Sequence, residues 1–207
     1  KLALIIGLPC AVGLFVLAKP ILGMLYPRLT EAQLSLAADL MHTASIGVIF
    51  LSLVQAMTGI IQGLGKPNVP LFNLFIGFIL KVITLVVLTN IPSINIQGAS
   101  ISTVICYAFA GIADTAYAVR KAHINMNLWD VILKPVLSSA VMGAMVYMCF
   151  AFMNKLGHVT LGVLLSVTLC VCVYGIIAIY LRMFSREELN YIPGGRKLKR
   201  LIYGSEK

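Results

Sequence analysis

The stretch Val69–Thr89 reads VPLFNLFIGFILKVITLVVLT and carries a single charge, Lys81. A bilayer's hydrocarbon core takes roughly 20 apolar residues in helical form, and this run is long enough to cross it. Lipid offers no partner to an unpaired backbone group, so such a run must be a helix. Five further stretches read the same way: Leu2–Tyr26, Leu34–Gln62, Gln97–Val119, Leu128–Met153 and Val159–Met183. The sequence therefore predicts an all-α, polytopic transmembrane bundle of six spans over residues 1–183, followed by a basic tail over 184–207.

Composition agrees with a lipid environment. Charged residues make up 11% of the 207 residues and mean hydropathy is +0.98, whereas soluble domains carry about 25% charged residues. A water-soluble core is excluded. The chain begins at Lys1, inside an apolar run and without Met, and reads as the C-terminal part of a longer protein. The first run is too long, and lacks the basic leader, for a cleavable signal peptide.

The formal net charge of +9 follows the bilayer rather than a nucleic acid. Lys66, Arg120, Lys121, Lys134, Arg182, Arg186 and the Arg196–Arg200 cluster fall on one side of the six-span arrangement, against Arg28 and Lys155 on the other. Positive-inside bias places the first side, with the C-terminus, in the cytoplasm. Ser185–Glu188 has the form of a capping box, so a short cytoplasmic helix is expected there, ending at Pro193-Gly194-Gly195. The basic segment after it either lies on the anionic inner leaflet or serves as a positive-inside stop.

No constellation for covalent chemistry stands out. There is no HExxH, no P-loop and no dinucleotide fingerprint. Cys10, Cys106, Cys149, Cys170 and Cys172 all lie inside spans, without zinc spacing, and read as small packing residues. His42, His123 and His158 are scattered. No enzyme activity, cofactor or metal is expected.

Polar residues inside the spans carry the functional reading. Lys81 lies near the middle of its run, where a basic group costs roughly 2.5–3.5 kcal/mol and should face the bundle interior or water. Asn73, Gly77, Lys81 and Thr84 share a wedge of about 80° at 100° per residue. Lys81 is either a cavity cation facing an anionic ligand, or a lysine paired within the bundle or snorkelling outward. Thr103, Tyr107, Ala110, Asp114 and Tyr117 share one face of the next span. Asp114, in the inner half, pairs with a base, binds a cation, relays protons or is hydrated. Its depth differs from that of Lys81, which argues against direct pairing. Ser45, Ser52, Gln55, Gly59 and Gln62 line one arc of the second span and either glue helices or line a polar cavity.

The connection Gly59-Ile-Ile-Gln-Gly-Leu-Gly-Lys-Pro-Asn-Val-Pro70 is a tight cytoplasmic turn in which glycines free the backbone and Lys66 marks the inside. It resembles the QGxGKxxxP turn of the multidrug/oligosaccharidyl-lipid/polysaccharide (MOP) exporter superfamily. Ile94-Asn-Ile-Gln-Gly-Ala-Ser-Ile-Ser-Thr103 is similar to that family's NxxGAAxxT helix start, and Pro9 and Lys19-Pro20-Ile21-Leu22 also fit its pattern. The resemblance is nearest to the branch of stage V sporulation protein B and polysaccharide-biosynthesis flippases. It implies that the chain is most of the C-terminal lobe of a MATE- and MurJ-like fold, whose partner lobe is absent here. It further implies alternating access, an undecaprenyl-linked sugar or peptidoglycan precursor as substrate, and a bacterial plasma membrane location. The cavity candidates are then Lys81, Asn73, Thr84, Gln55, Thr103, Tyr107 and Asp114, with no covalent step. A cation-coupled multidrug exporter with Asp114 as coupling acid is the rival within transport, and a membrane scaffold for cell-wall assembly is the rival outside it.

Overall fold

The computed structural model describes residues 2–92, 94–122, 129, 133–155 and 159–181. Among the described residues the regular structure is helical, with no strand: α1 Leu2–Val16, α2 Ala18–Leu25, α3 Glu31–Gly63, α4 Asn68–Thr89, α5 Gln97–Ala122, α6 Lys134–Lys155 and α7 Val159–Tyr180. Helices α3 to α7 are each long and apolar enough to cross a membrane, and α1 with α2 passes the same test as a bent pair, the geometry of a broken sixth span or of a re-entrant loop. The all-α polytopic bundle is therefore present, with five candidate spans, or six where the bent pair crosses as one. The expected tail helix lies outside the described residues.

The first apolar stretch, Leu2–Tyr26, is not one continuous helix: α1 runs through Pro9, and the chain bends by 70° between α1 and α2. Pro20 suits the position: it lies in the first turn of α2 and has no N–H to give the Val16 carbonyl, so a bend there forfeits no bond that proline could have made. Leu17 still donates to the Gly13 carbonyl at 3.0 Å, and Ile21 donates to that of Leu17 at 2.9 Å, so the chain turns without losing its adjoining bonds. Alone, α1 is about 22 Å long at 1.5 Å per residue, short of a core about 30 Å thick.

The turn after α3 owes its shape to Gly65. That residue has φ +74°, in the left-handed region that glycine enters without a Cβ penalty. Lys66 N–H donates back to the Ile61 carbonyl at 3.2 Å, and Gly65 N–H to that of Gln62 at 2.9 Å. This double closure is the Schellman end of a helix, and it delivers the chain into α4 within four residues. At the other end of α3, Thr30 and Gln33 form a reciprocal capping box.

The helices pack in two groups. Helix α5 lies between α3 and α4, and α1 bridges α3 to the α6–α7 hairpin. Met57, Ile61 and Ala118 centre the first group, while Leu17, Met142 and Val146 centre the second. Small residues set the crossings. A Cβ on Gly77 would stand 3.0 Å from the Cys106 carbonyl oxygen, and one on Gly143 would stand 2.7 Å from a Val12 methyl. Gly7 of α1 abuts the Ser52 side chain of α3. Much of the remaining apolar surface faces outward, with Phe72, Phe75, Ile83 and Val86 of α4 all more than half exposed. Such contiguous outward apolar surface is the mark of contact with lipid or another protein surface.

Candidate functional site

Lys81 is half-buried on α4, where it borders a cleft of about 380 Å³ against α5. Thr103, Cys106 and Tyr107 of α5 form the opposite wall, and Phe75 and Phe78 of α4 close the flank. A second cleft of about 320 Å³ lies between α5 and α3. Thr103 and Tyr107 line both clefts, so α5 presents one polar edge to two adjoining hollows. The close approach of α4 and α5 at Gly77 lies one helical turn before Lys81. Among the described residues Lys81 forms no ion pair.

Asp114 is placed differently from a hydrated group near the interface. It is fully buried, and its Oδ1 accepts a hydrogen bond from Asn73 Nδ2 at 2.7 Å. Among the described residues its Oδ2 has no hydrogen-bond partner. Asn73 lies eight residues before Lys81, or about 12 Å along the helix axis. The depth difference from Lys81 inferred from sequence is thus present, and Asp114 is braced to α4 at the level of Leu71 and Leu74, which line the cleft while Asp114 itself does not.

The remaining candidates separate in the same way. Thr84 turns its hydroxyl back to the Leu80 carbonyl at 2.7 Å and the Lys81 carbonyl at 3.2 Å, and it lines neither cleft. Gln55 is exposed on α3, one turn beyond Leu51 of the second cleft, and borders neither cleft itself. Ser45 and Ser52, from the same arc, donate to backbone carbonyls within α3. The structure therefore brings together Lys81, Thr103 and Tyr107, and leaves Gln55, Asn73, Thr84 and Asp114 outside the clefts. Sequence reading missed Phe75, Phe78 and Cys106. Their spacing from Lys81 and Thr103 carried the signal, but apolar residues in a span give no contrast with lipid-facing ones.

The polar groups along this edge are one ammonium, two hydroxyls and the Cys106 thiol, set beside aromatic faces. Among the described residues no three His, Cys, Asp or Glu side chains converge to hold a metal ion.

These features define a multi-pass helical membrane protein with a cationic cleft inside its membrane region. Residues 1–87 match the MatE family model, a match that takes in α1 to α3, the Gly65 turn and Lys81 but stops short of α5. The chain is 26% identical over 211 aligned residues to the uncharacterized membrane protein YabM of Bacillus subtilis (strain 168), covering 98% of this chain and 37% of that protein. The chain thus spans little more than a third of its relative's length. No solved structure matches the chain.

Proposed function

We propose that this chain is part of a MOP-superfamily transporter that moves a lipid-linked oligosaccharide or peptidoglycan precursor across a bacterial plasma membrane by alternating access. The observation that carries the reading is Lys81, set in a cleft beside Thr103 and Tyr107 without an ion-pair partner among the described residues. A cation at membrane depth is costly unless it meets an anion or water. The phosphate of a polyisoprenyl-linked sugar supplies that anion, while its tail remains in lipid. The MatE match and the likeness to a longer membrane protein support the transport class. The rest of such a longer protein would form the facing wall of the cavity. The exposed Lys66 and Arg120, at the turn after α3 and near the end of α5, support a cytoplasmic C-terminus.

Asp114 favours a second reading. A buried carboxylate with one oxygen free of partners among the described residues suits a cation-coupled drug exporter. Reconstituting the full-length protein in vesicles separates the two. Under the first reading it moves a fluorescent polyisoprenyl diphosphate-sugar, and Lys81→Ala slows that movement more than Lys81→Arg. Movement of an organic cation dye that fails in Asp114→Asn and survives in Lys81→Ala supports the exporter. Movement of neither supports a scaffold.

A further inference from the structure

The other half of the bundle holds a cluster of soft donors that the transport reading does not use. Cys170 on α7 lies 3.2 Å, sulfur to sulfur, from Met142 on α6. The same thiol lies within 3.4 Å of where a Gly13 Cβ would stand, so α1 closes over it. Cys10, one helical turn before Gly13, lines with Cys170 a cavity of about 640 Å³ between α1 and α7 whose walls are almost wholly apolar. Cys170 and Met142 are thus in direct contact, and the exposed Cys10 borders the same cavity as Cys170. On α6 the donors continue: Met142, Met145, Cys149 and Met153 fall within an arc of about 80° at 100° per residue.

We propose that this seam binds a soft monovalent metal cation, Cu(I) or its surrogate Ag(I), between Cys170 and Met142, with Cys10 as a third donor at the cavity wall. Thiolate and thioether donors select Cu(I), whereas hard and borderline ions need the oxygen and imidazole groups that do not converge among the described residues. The charge balance also fits an apolar site. Cys170 loses its thiol proton to water as its sulfur bonds the metal, and Met142 gives a neutral lone pair. One thiolate with one monovalent cation leaves no net charge, which removes the main penalty for burial. Packing alone needs no sulfur-to-sulfur contact here, because Leu has nearly the volume of Met and would fill the same space.

The test is an anaerobic titration of the purified full-length protein with Cu(I) against the chelator bicinchoninate, repeated with Ag(I). Thermal unfolding is recorded for every variant. The wild type should retain one Cu(I) at this site. Cys170→Ala should lose it. Met142→Leu, which conserves volume, should bind at least about tenfold more weakly, as even lost supporting contacts cost metal sites that much. Cys172→Ala, on an exposed position of α7, should bind as wild type does. Failure of the wild type to hold Cu(I) against the chelator overturns the proposal. So does equal retention by folded Met142→Leu and wild type, whatever becomes of Cys170→Ala.

Discussion

Asn73 of α4 donates its side-chain N–H to the carboxylate of Asp114 on α5 at 2.7 Å, and this bond ties the two helices together beside the Lys81 cleft without lining it. The acceptor is fully buried, so the bond has no water to replace it. Removing the donor leaves a buried carboxyl group without its partner, at a cost of about 1–3 kcal/mol or more. Asn73→Ala should therefore lower the thermal stability of the protein in detergent clearly. Asp114→Asn keeps the shape and can still accept from Asn73, so it should lower it less. Equal effects would mean that the bond is incidental to α4–α5 packing.

The turn that ends α3 gives a second expectation. Gly65 has φ +74°, and an L side chain there meets a penalty of about 1–2 kcal/mol. Gly63, two residues earlier and helical, has open space where a Cβ would stand, with nothing within 4 Å. Gly65→Ala should destabilise the protein, whereas Gly63→Ala should be neutral or mildly stabilising through helix propensity. Chemical denaturation of the two variants side by side checks the contrast.

At the α4–α5 crossing the constraint is steric. A Cβ at Gly77 meets the Cys106 carbonyl oxygen at 3.0 Å, which is backbone and cannot swing away. Gly77→Val should push the helices apart and cost about 1–3 kcal/mol, the range for overpacking. Trimming the Cys106 side chain in Gly77→Val/Cys106→Ala should recover only part of the loss, because the carbonyl remains. Full recovery in thermal unfolding would show that the side chain sets the contact.

The extent to which the molecule is legible in its sequence follows from these contacts. Span positions are legible because lipid enforces a length and an apolar content on every crossing helix; the α4 reading of Val69–Thr89 differs from Asn68–Thr89 by one residue. The break of the first span is not. Pro9 and Pro20 look alike as letters and each removes one helical hydrogen bond, yet α1 runs through the first while the chain bends just before the second. The lysine cleft is half legible. Lys81 and the Thr103–Tyr107 edge stand out as polar residues in apolar runs, but whether Asp114 faces water, Lys81 or Asn73 depends on the register of α5 against α4, which no single helix encodes. Thr84 and Gln55 fall outside the clefts for a related reason: a shared arc on one helix does not say whether a hydroxyl turns back to its own carbonyl or where the neighbouring helix stops.

The turn between α2 and α3 ranks two contacts by kind. Lys19 pairs with Glu31 at 3.1 Å, but both side chains are largely exposed, at 53% and 84%. Such pairs contribute about 0–1 kcal/mol. Thr30 caps α3 through the Gln33 N–H, and losing a cap of this type costs typically about 1 kcal/mol. Thr30→Ala should therefore lower thermal stability more than Lys19→Ala, and added salt should erase the Lys19 effect alone.

The most direct test of the central claim, that Lys81 serves an anionic substrate, is complementation of a flippase-deficient bacterium by the full-length protein carrying Lys81→Ala or Lys81→Arg, with membrane levels matched to wild type. Wild type and Lys81→Arg should rescue growth, the second less well because a guanidinium presents its charge in a different geometry, and Lys81→Ala should fail. Full rescue by Lys81→Ala at normal membrane levels would contradict the account and return Lys81 to a purely structural role.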